Sequence, residues 1–229
     1  MLPIAIKSVM KRSLLLLFVF VSFVSIAQER QFWNEIRGFK KEDSIRFPAK
    51  KAILFVGSSS FRMWKTLAQD FPDHKVINRG FGGSGLPNVI EYVNDIIFPY
   101  KPKQVIVYCG ENDFFREQNI TPEIVAARFE QLFKMIRTKM PRVHIAFVAI
   151  KPSPRRQAIM PQMVQTNTLV KNFLEKQKRA AFINIYDEML DAQGNPRKEL
   201  FTEDDLHMNA SGYAIWKRIV LPYLKKTKK

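Results

Sequence analysis

The sequence is poor in the residues that staple or load small proteins. Its one cysteine, Cys109, excludes an internal disulfide framework and any multi-cysteine zinc site. Cys109 ends an apolar run and is expected as a small buried residue. The three histidines, His74, His144 and His207, lie far apart and have no metal-ligand spacing. There is no internal repeat, low-complexity linker, arginine-rich arm or nucleic-acid motif. The uncharged run from Ser13 to Ala27 has 15 residues, short of the ~20 that span a bilayer. What remains is ordinary: 46% hydrophobic and 25% charged residues, near the globular average. That balance excludes a disordered chain, a collagen-like chain and a multi-span membrane protein. At 229 residues, one domain of roughly 200 is the default.

The first 27 residues differ from the rest. Lys7, Lys11 and Arg12 form a positive start, the apolar run follows, and Ser25-Ile26-Ala27 ends it with a small-x-small pattern. Residues 1–27 are therefore expected to be a signal peptide, with a single domain over 28–229. The alternative is an uncleaved N-terminal anchor. Export places the protein in the periplasm or outside the cell. Removal of the segment takes three basic residues and no acidic one, so the net charge falls by three, from +16 to +13. Outside the Lys225-Lys226-Thr227-Lys228-Lys229 tail the cations are spread along the chain. Attraction to anionic glycans or membrane surfaces is one reading of this charge, and a soluble basic surface is the other. No nucleic-acid partner is expected.

Five short runs read as strands buried on both faces of a parallel sheet: Ala52 to Val56, Lys75 to Asn78, Gln104 to Cys109, Val143 to Ile150, and Ala181 to Tyr186. Helical periodicity lies between them. Leu86 to Phe98, a segment opened by Thr121-Pro122-Glu123, Ile159 to Lys178, and Asn209 to Leu224 are the expected helices. Alternating units of this kind predict an α/β sandwich with right-handed crossovers. In such a sheet, chemistry collects just beyond the carboxyl ends of the strands.

Four segments sit there. Gly57-Ser58-Ser59-Ser60 follows the first strand; a serine on a strand-to-helix turn lies near helix N–H groups that favour developing negative charge. It can equally cap a helix. Asn78-Arg79-Gly80-Phe81-Gly82-Gly83-Ser84-Gly85 follows the second. It fits neither a dinucleotide fingerprint nor a phosphate loop, but it permits close backbone approach. Gly110-Glu111-Asn112-Asp113 follows the third, and Asn112 can donate to an oxyanion. Asp204-Asp205-Leu206-His207 supplies an imidazole base with a carboxylate three residues before it. Together they form a full set for acyl transfer.

In this order the four blocks resemble the SGNH hydrolase superfamily, the GDSL-type esterases and lipases. The likeness runs from about Ala52 to Tyr223. It implies a flavodoxin-like, three-layer α/β/α sandwich on a five-stranded parallel sheet, with neither metal nor organic cofactor. It implies Ser59 as nucleophile, with Asp204 and His207 completing the triad. The oxyanion hole would comprise the Ser59 N–H, Gly83 and Asn112. The block's usual acidic residue before the nucleophile is Ser58 here, which leaves Ser58 and Ser60 as fallback nucleophiles. Asp205 is a second acid, and Asp204 has the block's spacing to His207.

The resemblance leads to a serine esterase acting through an acyl-enzyme on a small-molecule or glycan ester. No large lid insertion is visible, and short acyl groups, acetyl above all, are expected. The alternatives are a lysophospholipase or thioesterase, and a catalytically silent glycan-binding module. In the loop after strand four, Lys151, Arg155 and Arg156 are candidates to contact an anionic or polyhydroxyl leaving group.

Overall fold

The computed structural model describes residues 30–226. The signal-peptide expectation falls outside the described residues. In chain order the elements are α1 (Trp33–Ile45), β1 (Ile53–Gly57), α2 (Ser59–Arg62), α3 (Leu67–Asp70), β2 (Val76–Gly80), α4 (Leu86–Glu91), α5 (Val93–Ile96), β3 (Gln104–Tyr108), α6 (Asp113–Arg116), α7 (Pro122–Lys139), β4 (His144–Val148), α8 (Met160–Glu175), β5 (Ala180–Ile183) and α9 (Ala210–Val220). No helix among the described residues is long and apolar enough to cross a membrane.

The five strands form one parallel sheet in the order β2-β1-β3-β4-β5. Alternate residues of each strand face opposite sides, and both sides of the inner strands β1, β3 and β4 are covered, which is why those runs are almost wholly apolar; the edge strands β2 and β5 are partly exposed, and β2 carries Asn78 and Arg79. Leu54, Val56, Val105, Val107, Ile145 and Phe147 face the layer that includes α4, α5, α7 and α8. Ile53, Phe55, Ile106, Tyr108, Ala146 and Val148 face the layer of α2, α3 and α9. The second core is aromatic: Trp216 stands edge-on to Phe61 at 6.0 Å and lies 4.9 Å from Tyr108.

Several boundaries differ from the sequence reading. β2 runs on through Arg79 and Gly80. Arg79 is buried there, held by Asp43 at 2.5 Å and the Tyr100 hydroxyl at 2.7 Å. The helix expected from Leu86 to Phe98 breaks at Tyr92, whose hydroxyl donates to the Gln31 carbonyl. Helix α1 has no counterpart in the sequence reading. Only Ile36 of it is fully buried, and its N-cap, Phe32, offers no side-chain acceptor, so neither periodicity nor capping announces it. The α7 start is as expected: Thr121 caps it and Pro122 opens it. Cys109 is buried.

The order β2-β1-β3 reverses the winding direction at β1. Loops after β1, β2 and β3 therefore part above one crevice.

Candidate active site

The turn from β1 into α2 is tight because Gly57 makes it so. Its φ is +138°, and a Cβ there would meet the Tyr108 carbonyl oxygen at 1.9 Å. The Ser58 N–H instead reaches that same carbonyl at 3.0 Å. The next three hydroxyls separate by geometry. Ser58 is buried, and its Oγ accepts from the Asn112 amide at 3.2 Å. Ser60 is buried, and its side chain bonds the Tyr108 hydroxyl. Ser59, at the first position of α2, is partly exposed, and its Oγ lies 3.0 Å from His207 Nε2. Of the three adjacent serines, Ser59 is the one that meets the imidazole. Its N–H, in the first turn of a helix, has no intrahelical acceptor.

His207 and Asp204 share the loop between Phe201 and α9. The bridge between Phe201 and Met208 closes that loop, and the Thr202 N–H donates to the His207 carbonyl at 2.8 Å. Asp204 Oδ2 sits 2.5 Å from His207 Nδ1. Asp204 Oδ1 accepts from the N–H groups of Leu206 and His207 and from the Thr202 hydroxyl. Desolvation alone would raise the Asp204 carboxyl. The bonds from His207, Leu206 and Thr202 outweigh it and hold the group well below the usual carboxylate range. Asp205 occupies the left-handed region at φ 56°, and Arg155 N–H donates to its carbonyl. Its carboxylate makes no bond to the imidazole. Asn209 then caps α9 through the N–H groups of Ser211 and Gly212. The Tyr213 hydroxyl donates to the Ser60 carbonyl at 2.8 Å, tying α9 to the serine turn.

The glycine loop is not a loose turn. Ser84 is buried, with its hydroxyl against the carbonyls of Gly57 and Phe81. Gly83 has φ +65°, and Arg116 grips its carbonyl through Nε at 2.9 Å and Nη2 at 2.5 Å. Glu35 of α1 accepts from the Gly82 N–H. Asn112 Nδ2 donates to the Ser84 carbonyl at 3.1 Å as well as to Ser58 Oγ, so it stands between the glycine loop and the serine turn. Asp113 ties the loop after β3 to the start of α4 by accepting from the Leu86 N–H at 2.9 Å and to α7 by accepting from Arg128 at 2.8 Å. Gly83, Asn112, Phe115 and Arg116 line a cleft of about 650 Å³.

Beneath Asn112 lies a buried ionic knot that sequence reading missed. Glu111 Oε2 meets Lys151 Nζ at 2.9 Å and the Tyr108 hydroxyl at 2.8 Å, and Arg156 approaches Oε1 at 3.6 Å. Lys151 is 1% exposed. It therefore turns inward and offers no charge to a leaving group. The chain from Lys151 to Ser153 is buried as well, not a solvated loop. Desolvation would raise the Glu111 carboxyl, but Lys151, Tyr108 and Arg156 bring it below its usual value. The available signal was a lysine continuing the apolar run of β4 beyond the strand end. Thr202 and Arg116 carried no signal, because their roles are set by loops that meet only in the fold. No group of three His, Cys, Asp or Glu side chains among the described residues is placed to hold a metal.

Residues 51–215 match the model of the GDSL-like lipase/acylhydrolase family. The chain belongs to that family. It is thus an ester-hydrolysing enzyme. Solved structures with the same fold include a GDSL-like lipase from Bacteroides thetaiotaomicron (TM-score 0.69, 16% identity, covering 82% of this chain and 96% of that one). An acetylxylan esterase from Geobacillus stearothermophilus aligns at TM-score 0.63 and 15% identity over 80% of this acylhydrolase and 98% of its own chain. A family 3 carbohydrate esterase from Clostridium thermocellum aligns at 0.59 and 17%, over 76% and 97%. No curated protein matches the sequence.

Proposed function

We propose that this acylhydrolase is a serine esterase that removes short acyl groups, acetyl in the first place, from a carbohydrate or small-molecule ester. Ser59 is the nucleophile, His207 the general base and Asp204 its orienter. The observation that carries the reading is the continuous line of contacts from Asp204 Oδ2 through His207 to Ser59 Oγ, at 2.5 Å and 3.0 Å.

The chemistry follows from those contacts. His207 Nε2 takes the Ser59 proton as Oγ attacks the ester carbonyl, and Asp204 stabilises the resulting imidazolium. The oxyanion is met by the N–H groups of Ser59 and Gly83 and by the Asn112 amide, whose 3.2 Å bond to Ser58 Oγ is long enough to be exchanged for a charged acceptor. Collapse expels the alcohol, which takes its proton from His207. Water, deprotonated by His207, then releases the acid from the acyl-enzyme.

The cleft lined by Gly83 and Asn112 lies on the oxyanion side of this line of contacts, with Phe115 and Pro87 as its apolar side chains among polar neighbours. The acetylxylan and carbohydrate esterases among the solved structures of this fold favour a sugar ester. Export through residues 1–27 is part of the same proposal.

The test is hydrolysis of p-nitrophenyl esters from acetyl to palmitoyl, with parallel labelling by a fluorophosphonate. Acetyl-selective turnover and labelling, both lost in Ser59→Ala and kept in Ser58→Ala and Ser60→Ala, are expected. Labelling that survives Ser59→Ala would reject the nucleophile assignment. A preference for long chains would reject the acyl assignment.

A further inference from the structure

The positive charge is not spread evenly over the folded chain. Many cations are matched: Arg30 with Glu91, Arg128 with Asp113 and Glu117, and Arg218 with Glu188. One place is different. Where the strands begin, Lys101 and Lys103 before β3, Lys139 at the end of α7, Arg142 before β4, and Lys225 and Lys226 after α9 border a single groove of about 910 Å³. None of these six pairs with a carboxylate among the described residues, and no described acidic residue lines the groove. Lys51 lines it too, and Phe98, Met140 and Val143 supply apolar wall between the cations. His144, at the groove edge, is pushed down from its usual value by partial burial and then by Lys225, Arg179, Arg137 and Lys103.

We propose that this groove docks the enzyme on an anionic phospholipid surface. Lysine ammonium groups would meet the phosphodiester and carry the electrostatic attraction, while the apolar wall accepts the methylenes just below the headgroup. Of the Lys and Arg residues that line the groove all but Arg142 are lysines, which act as point charges and lack the planar fork and stacking face of arginine. Among the described residues Phe98 is the one Phe, Tyr or Trp lining the groove, without the interleaved stacking platforms of a single-stranded nucleic-acid channel. A bilayer fits this chemistry better than a nucleic acid.

The location has a functional consequence. The groove lies at the amino ends of the strands, and Ser59, Gly83 and Asn112 lie beyond the carboxyl ends. Five residues of β3 at ~3.3 Å each put roughly 16 Å of sheet between them. An enzyme docked through the groove turns its catalytic mouth away from the lipid, toward substrate arriving from the aqueous side. The docking itself does not depend on the acyl group or on the triad; the direction in which the mouth faces rests on the proposed site.

The experiment is lysine footprinting of the full chain. Acylation rates at single lysines are read by mass spectrometry with vesicles of phosphatidylcholine, vesicles containing phosphatidylglycerol, or soluble polyphosphate. Expected is a several-fold slowing at Lys101, Lys103 and Lys139 on anionic vesicles only, relieved by 1 M salt. Lys65 and Lys198 on other faces serve as controls. Equal rates on neutral and anionic vesicles, or equal slowing at Lys198, would overturn the proposal. So would slowing by polyphosphate alone, which would assign the groove to a soluble polyanion. A Lys101→Glu/Lys103→Glu/Lys139→Glu variant should keep its p-nitrophenyl acetate turnover. Its preference for anionic over neutral vesicles should fall roughly 5-fold for each lysine removed.

Discussion

Replacing Lys151 by methionine keeps the side-chain volume and removes one charge from the knot beneath Asn112. Lys151 is 1% and Glu111 5% exposed, and their charges meet at 2.9 Å. The substitution leaves the Glu111 carboxylate buried with one hydroxyl donor, Tyr108, and a cation 3.6 Å away at Arg156. Breaking a buried pair on one side typically destabilises by about 3–5 kcal/mol. For a domain of this size that is a fall in melting temperature of about 6–20 °C. The loss should depend on pH. In the parent the folded-state Glu111 carboxyl sits below its usual 4.5. Its contribution is therefore present above that value and lost as pH falls through the folded one. In the variant, desolvation without Lys151 lifts the group, so folding favours the protonated form and stability declines as pH rises. The gap between parent and variant should be small near pH 4 and full at pH 7. Glu111→Gln/Lys151→Met should recover to within about 2 kcal/mol of the parent, since paired removal leaves no stranded charge. Urea denaturation at several pH values measures all three proteins. A single-variant loss below about 1 kcal/mol, or a gap that does not change with pH, would refute the reasoning.

The two acids before His207 make a matched pair of tests. Asp204→Asn should lower kcat by about 10⁴ through loss of the imidazolium partner, while Asp205→Asn, an amide tolerant of left-handed φ, should stay within a few-fold of the parent. Asn112→Ala should lower kcat by ~10²–10³ with KM little changed, if its amide serves the transition state more than the substrate. A raised KM at constant kcat would move Asn112 to a binding role. Gly57→Ala should fail to give soluble protein, because the Tyr108 carbonyl occupies the place of the new methyl group; recovery of a folded, active variant by circular dichroism and ester turnover would show that the turn can relax.

What the sequence determined by itself was whatever repeats with a short period or occurs as a compact block. The runs of β1, β3 and β4 were readable because both faces of these inner strands are covered, so burial leaves little polar alternation to confuse the pattern. The serine, glycine, asparagine and Asp-x-x-His blocks were readable because each is a local turn whose residue types are set by its own backbone. Asp204 and His207 belong to one such turn, so their spacing was visible; the contact of His207 with Ser59, 148 positions away in the chain, was not. The tertiary structure alone decided three things. It set the Ser59 hydroxyl against the His207 imidazole and buried Ser58 and Ser60 against Asn112 and Tyr108. It turned Lys151 inward to Glu111, 40 positions away. It gathered lysines from three distant segments into one groove at the far end of the sheet. The physical reason is common to all three. Direction and proximity of side chains on different elements depend on crossover geometry and layer packing, and neither is written in the local periodicity of any segment.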